Sequence, residues 1–434
     1  MSNDRSATSD IPGPRPLAPG PRPLAPGPRP LAPGLSARHD HRYQQRGVSA
    51  GKAEVHAAIA NQSAGLFPGA FCKLVADELT GSPDHALLLH ADTAGSKAAL
   101  AYLAWREGAP VSVFSGIAQD ALVMNLDDCA CVGSLGPYLV SNTIGRNAKQ
   151  VPGEVISAIV AGYQAVCDQM AAEGIAIRMC GGETADVGDL VRTVDVGCTV
   201  AARMARSEVI DAARMAPGDV IVGFASTGQA RWESSPNAGI GSNGLTSARH
   251  ELLGGYRDRY PETWAPEIDP SLAYCGKHRL EEPLPGDPRF TIGSALLSPT
   301  RTYLPLIRDL LAAIPREDFH GLIHCSGGGQ AKLVKFGRPG AARGNRYVKD
   351  ALFPLPPLFA AIQASTGLPW AEVYSVYNCG HRLEAIVPAN RVEACLAVAK
   401  ACAIDAQVVG RVEENDGPGN VVELRTERGV YLYR

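Results

Sequence analysis

The sequence predicts an α+β protein built in two halves. Strand-like and helix-like stretches are interspersed without the strict alternation of a doubly wound parallel sheet. The pattern stops at the turn signal Pro217-Gly-Asp219 and restarts with a fresh strand. The 434 residues exceed one ordinary domain and suit two. The expected division is an arm at residues 1–42, a first half at 43–215 and a second at 216–434.

In the arm, Gly-Pro-Arg-Pro-Leu-Ala-Pro stands three times in tandem between Gly13 and Pro33. Proline at three of seven positions forbids a helix and favours a disordered, polyproline-like segment. Such an arm is either a dispensable tail or a dock for a proline-binding partner.

Order is expected from Tyr43. The apolar run Ala86–Ala91 reads as a strand, followed by the loop Asp92-Thr-Ala-Gly-Ser-Lys97 and a helix with Leu100, Leu103 and Ala104 on one side. A second helix from Gly116 carries Ile117, Ala121 and Met124 in register, and a third spans Gly153–Glu173. Strand Ile175–Met179 then enters the loop Cys180–Gly188, and another strand is expected at Thr193–Val200. The second half should contain strand Val220–Ala225, a loop rich in Gly, Ser and Asn, and helices from Leu245, at Thr302–Ala313 and at Pro356–Ala364. It should close with strand Leu383–Val387, helix Asn390–Cys402 and strand Ala406–Val412.

Composition excludes several functions. A net charge of −3 and the absence of a basic run argue against a nucleic-acid partner. Phosphates must then be held by local devices. The 11 cysteines lack paired metal-ligand spacing and read as reduced cytoplasmic thiols. No run of about 18 apolar residues and no signal-peptide core is seen, so no membrane partner is expected.

Five segments could carry chemistry. The first is Asp92–Lys97, where small residues and a helix start suit an oxyanion. The second is Asp127-Asp128; Asp128 falls four residues after Met124, on the apolar stripe, where a carboxylate needs a partner or a metal. The third is Gly181-Gly-Glu-Thr-Ala-Asp186, with two acids and a hydroxyl. Together the three acidic clusters could hold Mg²⁺ between a triphosphate and the protein. The fourth and fifth, Gly239–Gly244 and Ser326–Gly329, read as anion-binding turns or as plain connections.

In this order the segments resemble the aminoimidazole ribonucleotide synthetase (phosphoribosylformylglycinamidine cyclo-ligase) family. Its Asp-Gly-x-Gly-Thr-Lys loop is matched by Asp92–Lys97, its Asn-Asp pair by Asp127-Asp128, and its Gly-Gly-Glu-Thr-Ala-Glu loop by Gly181–Asp186. Gly218–Val222, Gly241–Leu245, Ser298–Tyr303, His324–Gly329 and Tyr377–Gly380 match further motifs, so the likeness spans Tyr43–Glu413. Ser141–Arg146 is similar to a longer bacterial branch. The chain departs from the pattern in the Asp92-Thr-Ala stretch, where Thr93 replaces a glycine, at Gly241, which replaces a histidine, and at His381-Arg382, which replace Val-Gly.

The resemblance implies the family's two-half architecture, with an N-terminal mixed sheet forming a homodimer and a C-terminal α/β half. It implies ATP-dependent closure of formylglycinamidine ribonucleotide to an imidazole. Asp92, Lys97 and Asp128 would be catalytic. ATP would be held by Asp92, Lys97, Asp127, Gly181, Gly182, Glu183 and Thr184, and Mg²⁺ by Asp92, Asp128 and Glu183. Ser242, Asn243, Gly244, Gly327, Gly328 and Gly329 would take the substrate. Arg382 is read either as a contact to the ribose 5′-phosphate or as a surface ion pair to Glu384. The alternatives are a small-molecule kinase of the same superfamily, similar to thiamine monophosphate kinase, and a non-catalytic nucleotide-binding regulator.

Overall fold

The computed structural model describes residues 42, 45–48, 53–337 and 341–434; the proline-rich repeats, and the disorder expected of them, lie outside the described residues. In the first half, α1 (Ala53–Ile59) precedes β1 (Leu74–Ala76), β2 (His85–Thr93), α2 (Lys97–Arg106) and α3 (Val113–Ala130). There follow β3 (Tyr138–Arg146), α4 (Gly153–Ala172), β4 (Ile177–Asp186) and β5 (Val194–Ala205). The strands make one mixed sheet in the order β1-β2-β5-β3-β4, with β3 and β4 parallel.

Strand β2 alternates as its sequence requires. Ala86 and Leu88 are buried under helices, whereas Leu89 on the other face is 73% exposed. Helices α3 and α4 cover the buried face. The buried side chains of α3 come from all sides of the helix, because α3 lies between this sheet and the second half. Helix α4 is, among the described residues, long and apolar enough to cross a membrane, contrary to the sequence expectation. Its Ile159, Tyr163, Val166 and Met170 pack into the core while Glu154 and Asp168 face solvent, the pattern of a core helix.

The second half runs β6 (Val220–Ala225), α5 (Leu245–Leu252), α6 (Ile292–Leu296), α7 (Leu304–Ala313), β7 (Gly321–His324) and β8 (Asn345–Lys349). It continues α8 (Pro357–Thr366), α9 (Trp370–Val376), β9 (His381–Val387), α10 (Val392–Ala401), β10 (Ala406–Glu414), β11 (Val421–Thr426) and β12 (Gly429–Tyr433). Its seven-stranded sheet has the order β12-β11-β8-β10-β6-β9-β7, with β11 and β8 parallel. Every residue of β9 is buried, as in a strand covered on both faces. The α+β class read from the sequence therefore holds.

Two expected loops are strand instead. β2 continues through Asp92 and Thr93, which pair with Cys198 and Gly197. The expected loop at Gly181–Asp186 is the outer part of β4, paired with β3 from Asn142 to Arg146. Gly182 permits this approach, since a Cβ there would overlap the Asn142 side chain.

Buried polar contacts join the halves. The segment Ser298–Tyr303 crosses α3 and feeds it donors. Asp120 accepts from the Thr300 backbone N–H at 2.7 Å. Asp127 accepts from the Thr302 hydroxyl at 2.7 Å and the Tyr303 N–H at 3.1 Å.

Candidate functional site

A cavity of about 570 Å³ opens between the end of β2 and the glycine-rich loops of the second half. The first half supplies His90, Asp92, Gly95, Ser96 and Asp128, and the second supplies Ser242–Gly244, Ser326–Gly328, Lys332 and Lys335.

On β2, His90 and Asp92 are two residues apart and share the face turned toward α3. Asp128 comes from the last turn of α3. Its Oδ1 accepts from His324 Nδ1 at 2.7 Å, and its Oδ2 faces His90 Nε2 at 3.4 Å. Burial opposes ionisation of Asp128, but these two imidazoles hold its carboxyl well below the usual carboxylate range. His90 is affected in the opposite sense: burial works against its charge, yet Asp128 and Asn125 raise it to about 9. The Asn125 amide donates to Ala121 O at 2.9 Å, so its oxygen accepts from His90 Nδ1 at 2.8 Å.

Behind His324 lies Arg382. Its Nε–H donates to His324 Nε2 at 3.1 Å. A guanidinium only donates, so the His324 proton sits on Nδ1, directed at Asp128. Arg382 also donates to Arg301 O and lies 5.3 Å from the Tyr303 ring centroid.

The glycines have steric reasons. At Gly244 (φ +74) a Cβ would lie 2.3 Å from the Tyr377 ring. At Gly241 (φ +70) it would lie 3.1 Å from Arg382 Nη1, so the guanidinium borders the space a side chain here would need.

Of the residues expected from the sequence, the cavity gathers Asp92, Asp128, Ser242, Asn243, Gly244, Gly327 and Gly328. Others fall elsewhere. Lys97 is fully buried, its ammonium donating to Asp120 at 2.9 Å, Gly241 O at 3.1 Å and Ser298 O at 2.6 Å, so it joins the halves instead of lining the cavity. Asp127 is likewise fully buried, its oxygens taken up by Thr302 and Tyr303. Gly181, Gly182, Glu183 and Thr184 are exposed on edge strand β4. Asp92 and Gly182 lie in one row with β5 and β3 between them. Three strand spacings amount to about 14 Å, so within one chain Glu183 does not share an ion with Asp92. Gly329 is packed against the Tyr374 and Tyr377 carbonyls. Arg382 is 2% exposed and Glu384 pairs with Lys349 and His381, so Arg382 makes no surface ion pair with Glu384, and it stands outside the lining of the cavity.

Sequence reasoning missed His90, Lys332 and Lys335. Strand alternation carried a signal for His90, two residues before Asp92 on the same face. The i, i+3 spacing of the two lysines after the glycine loop carried another.

Residues 73–204 match the N-terminal domain of AIR synthase related proteins, and residues 216–423 match their C-terminal domain. The chain belongs to the AIR synthase-related family. It is an enzyme, similar to the phosphoribosylformylglycinamidine cyclo-ligase of Methanococcus vannielii at 28% identity, over 76% of this chain and 79% of that one. Against the cyclo-ligase of an Anaeromyxobacter species the identity is 28% over 82% and 89% of the two chains. The crystal structure of thiamine-monophosphate kinase from Stenotrophomonas maltophilia K279a superposes with TM-score 0.47 at 19% identity, covering 79% and 86%, too loosely to weigh on the reaction. In this AIR synthase-related chain Asp92 and Asp128, from β2 and α3, both line the cavity.

Proposed function

We propose that the chain is a cytoplasmic phosphoribosylformylglycinamidine cyclo-ligase that closes the imidazole ring of formylglycinamidine ribonucleotide in purine biosynthesis, consuming ATP with Mg²⁺. The observation that carries this reading is one cavity bringing Asp92 and Asp128 of the first half against the glycine loops of the second, in a chain similar to cyclo-ligases over most of its length.

The donor chemistry fits the metal. Mg²⁺ is commonly held by one or two carboxylates plus substrate phosphates, and Asp92 and Asp128 supply two hard oxygen donors. Among the described residues no group of three or more His, Cys, Asp or Glu side chains forms a protein cage. When bound, MgATP supplies the phosphoryl group that converts the substrate's amide oxygen into a leaving group. An internal nitrogen then closes the ring and phosphate departs.

The chain's own residues prepare this. His324 and His90 keep Asp128 ionised. Arg382 fixes the His324 tautomer and is a positioning residue, acting through His324. Ser242, Asn243 and the Gly327-Gly328 loop present hydroxyl, amide and backbone groups to the substrate. The face of the first sheet that exposes Leu89 and Leu139 supports a homodimer joined sheet to sheet.

Asp128→Asn tests the site. The expected result is loss of at least about a hundredfold in imidazole formation, since a metal ligand contributes several kcal/mol of charge stabilisation, with the circular dichroism spectrum unchanged. Wild-type activity in this variant, or turnover of thiamine monophosphate in place of the ribonucleotide, would displace the proposal.

A further inference from the structure

We propose that Lys332, with Lys335 beside it, is the residue of this cavity that holds the substrate's phosphate. The inference deepens the functional reading above and rests on it for the cavity's assignment.

The cavity is electrically two-ended. Asp92 and Asp128 stand on the wall from the first half, and Lys332 and Lys335 on the wall from the second. Both lysines lie in the 3₁₀ helix Gly329–Lys335. Three residues make one turn of such a helix, so positions 332 and 335 project on the same side.

Lys332 is also held in place. Its stem runs across Gly328, where a Cβ would be 3.5 Å from the lysine Cδ. Its ammonium lies 5.2 Å from the Phe71 ring centroid. A half-buried cation fixed at both stem and tip loses less freedom on binding an anion than a surface lysine does.

The floor beside it suits an oxyanion. A Cβ at Gly327 would meet only Asn243 Oδ1, at 3.8 Å, so a ligand can approach the backbone there. Lys97 is buried with its ammonium directed at three protein acceptors, so it does not reach this end of the cavity.

The experiment titrates the full-length protein, without ATP, with ribose 5-phosphate and separately with ribose, by calorimetry. Ribose 5-phosphate should bind and ribose should not. Lys332→Ala should weaken ribose 5-phosphate by roughly ten- to a hundredfold, the range of a charge-assisted contact, and Lys332→Arg should keep most of the affinity. A third titration uses a non-hydrolysable ATP analogue with Mg²⁺, whose affinity Lys332→Ala should leave within about twofold, because the contact belongs to the other ligand. Equal affinity of wild type and Lys332→Ala for ribose 5-phosphate overturns the proposal. So does an equal loss for the ATP analogue, which would give the lysine to the nucleotide. Failure of the cyclo-ligase reading would appear separately, as absent imidazole formation with these binding results intact.

Discussion

Lys97 begins α2 after a loop of small residues, the place where a phosphate-binding lysine is expected, yet it faces the interior. Burial pushes its ammonium down, and Asp120 opposes that shift. Breaking a buried ion pair from one side strands the other charge, at a cost of about 3–5 kcal/mol. Lys97→Met should therefore lower the unfolding free energy by about that amount in urea titrations, with the Michaelis constant for ATP little changed in the protein that remains folded. A variant of wild-type stability with a greatly raised constant for ATP would return Lys97 to the nucleotide. The sequence could show a lysine after a turn but not its direction, because its acceptors Gly241 and Ser298 lie 144 and 201 positions away. Arg382 misled for the same reason: its partner His324 is 58 positions distant and buried with it. Asp92 and Asp128 were legible, since a strand end and a helical stripe are local patterns.

Strands and helices were legible where one face is wet. β2 alternates and α4 repeats at helical spacing, so both could be read from the sequence. β7 and β8 have four and five residues and almost no exposed position, so no periodicity marks them. β4 was cut short because its glycines read as a turn. The second sheet also carries a buried charge cluster that only tertiary structure reveals. Lys349 on β8 reaches Glu384 on β9, across β10 and β6, where Gly410 and Gly223 are their register partners. His381 Nε2 lies 2.8 Å from the same carboxylate oxygen. Burial raises Glu384, but Lys349 and His381 outweigh it and bring the carboxyl down to about 2. A depressed carboxylate contributes stability that is full above its unfolded pKa, near 4.5, and is lost as pH falls toward 2. Relative to a Lys349→Met/Glu384→Leu variant, the wild type should lose about 2 kcal/mol of unfolding free energy between pH 5 and pH 3. A difference independent of pH, followed by urea titration at each pH, would exclude this cluster as an acid-labile element.

Among the described residues no helix covers one face of the first sheet, and Leu89, Leu139 and Val75 show 73%, 50% and 39% exposure there. Leu89 and Leu139 both pair with Ala201, so they lie in one row across three strands. Exposed apolar surface of this kind is what the proposed homodimer would bury. Leu89→Glu should shift the sedimentation coefficient from dimer to monomer and leave the secondary structure intact; a monomeric wild type, or an unshifted variant, would show that this face joins no second copy. The segment Ser298–Tyr303 bears on the chain's history. Asp120 and Asp127 belong to the first half in sequence, yet their backbone donors come from Thr300 and Tyr303. A chimaera joining the first half of this chain to the second half of a relative must therefore inherit α3 and that segment as a matched pair, so recombination at the inter-half linker is constrained by hydrogen bonds formed some eighty residues beyond it.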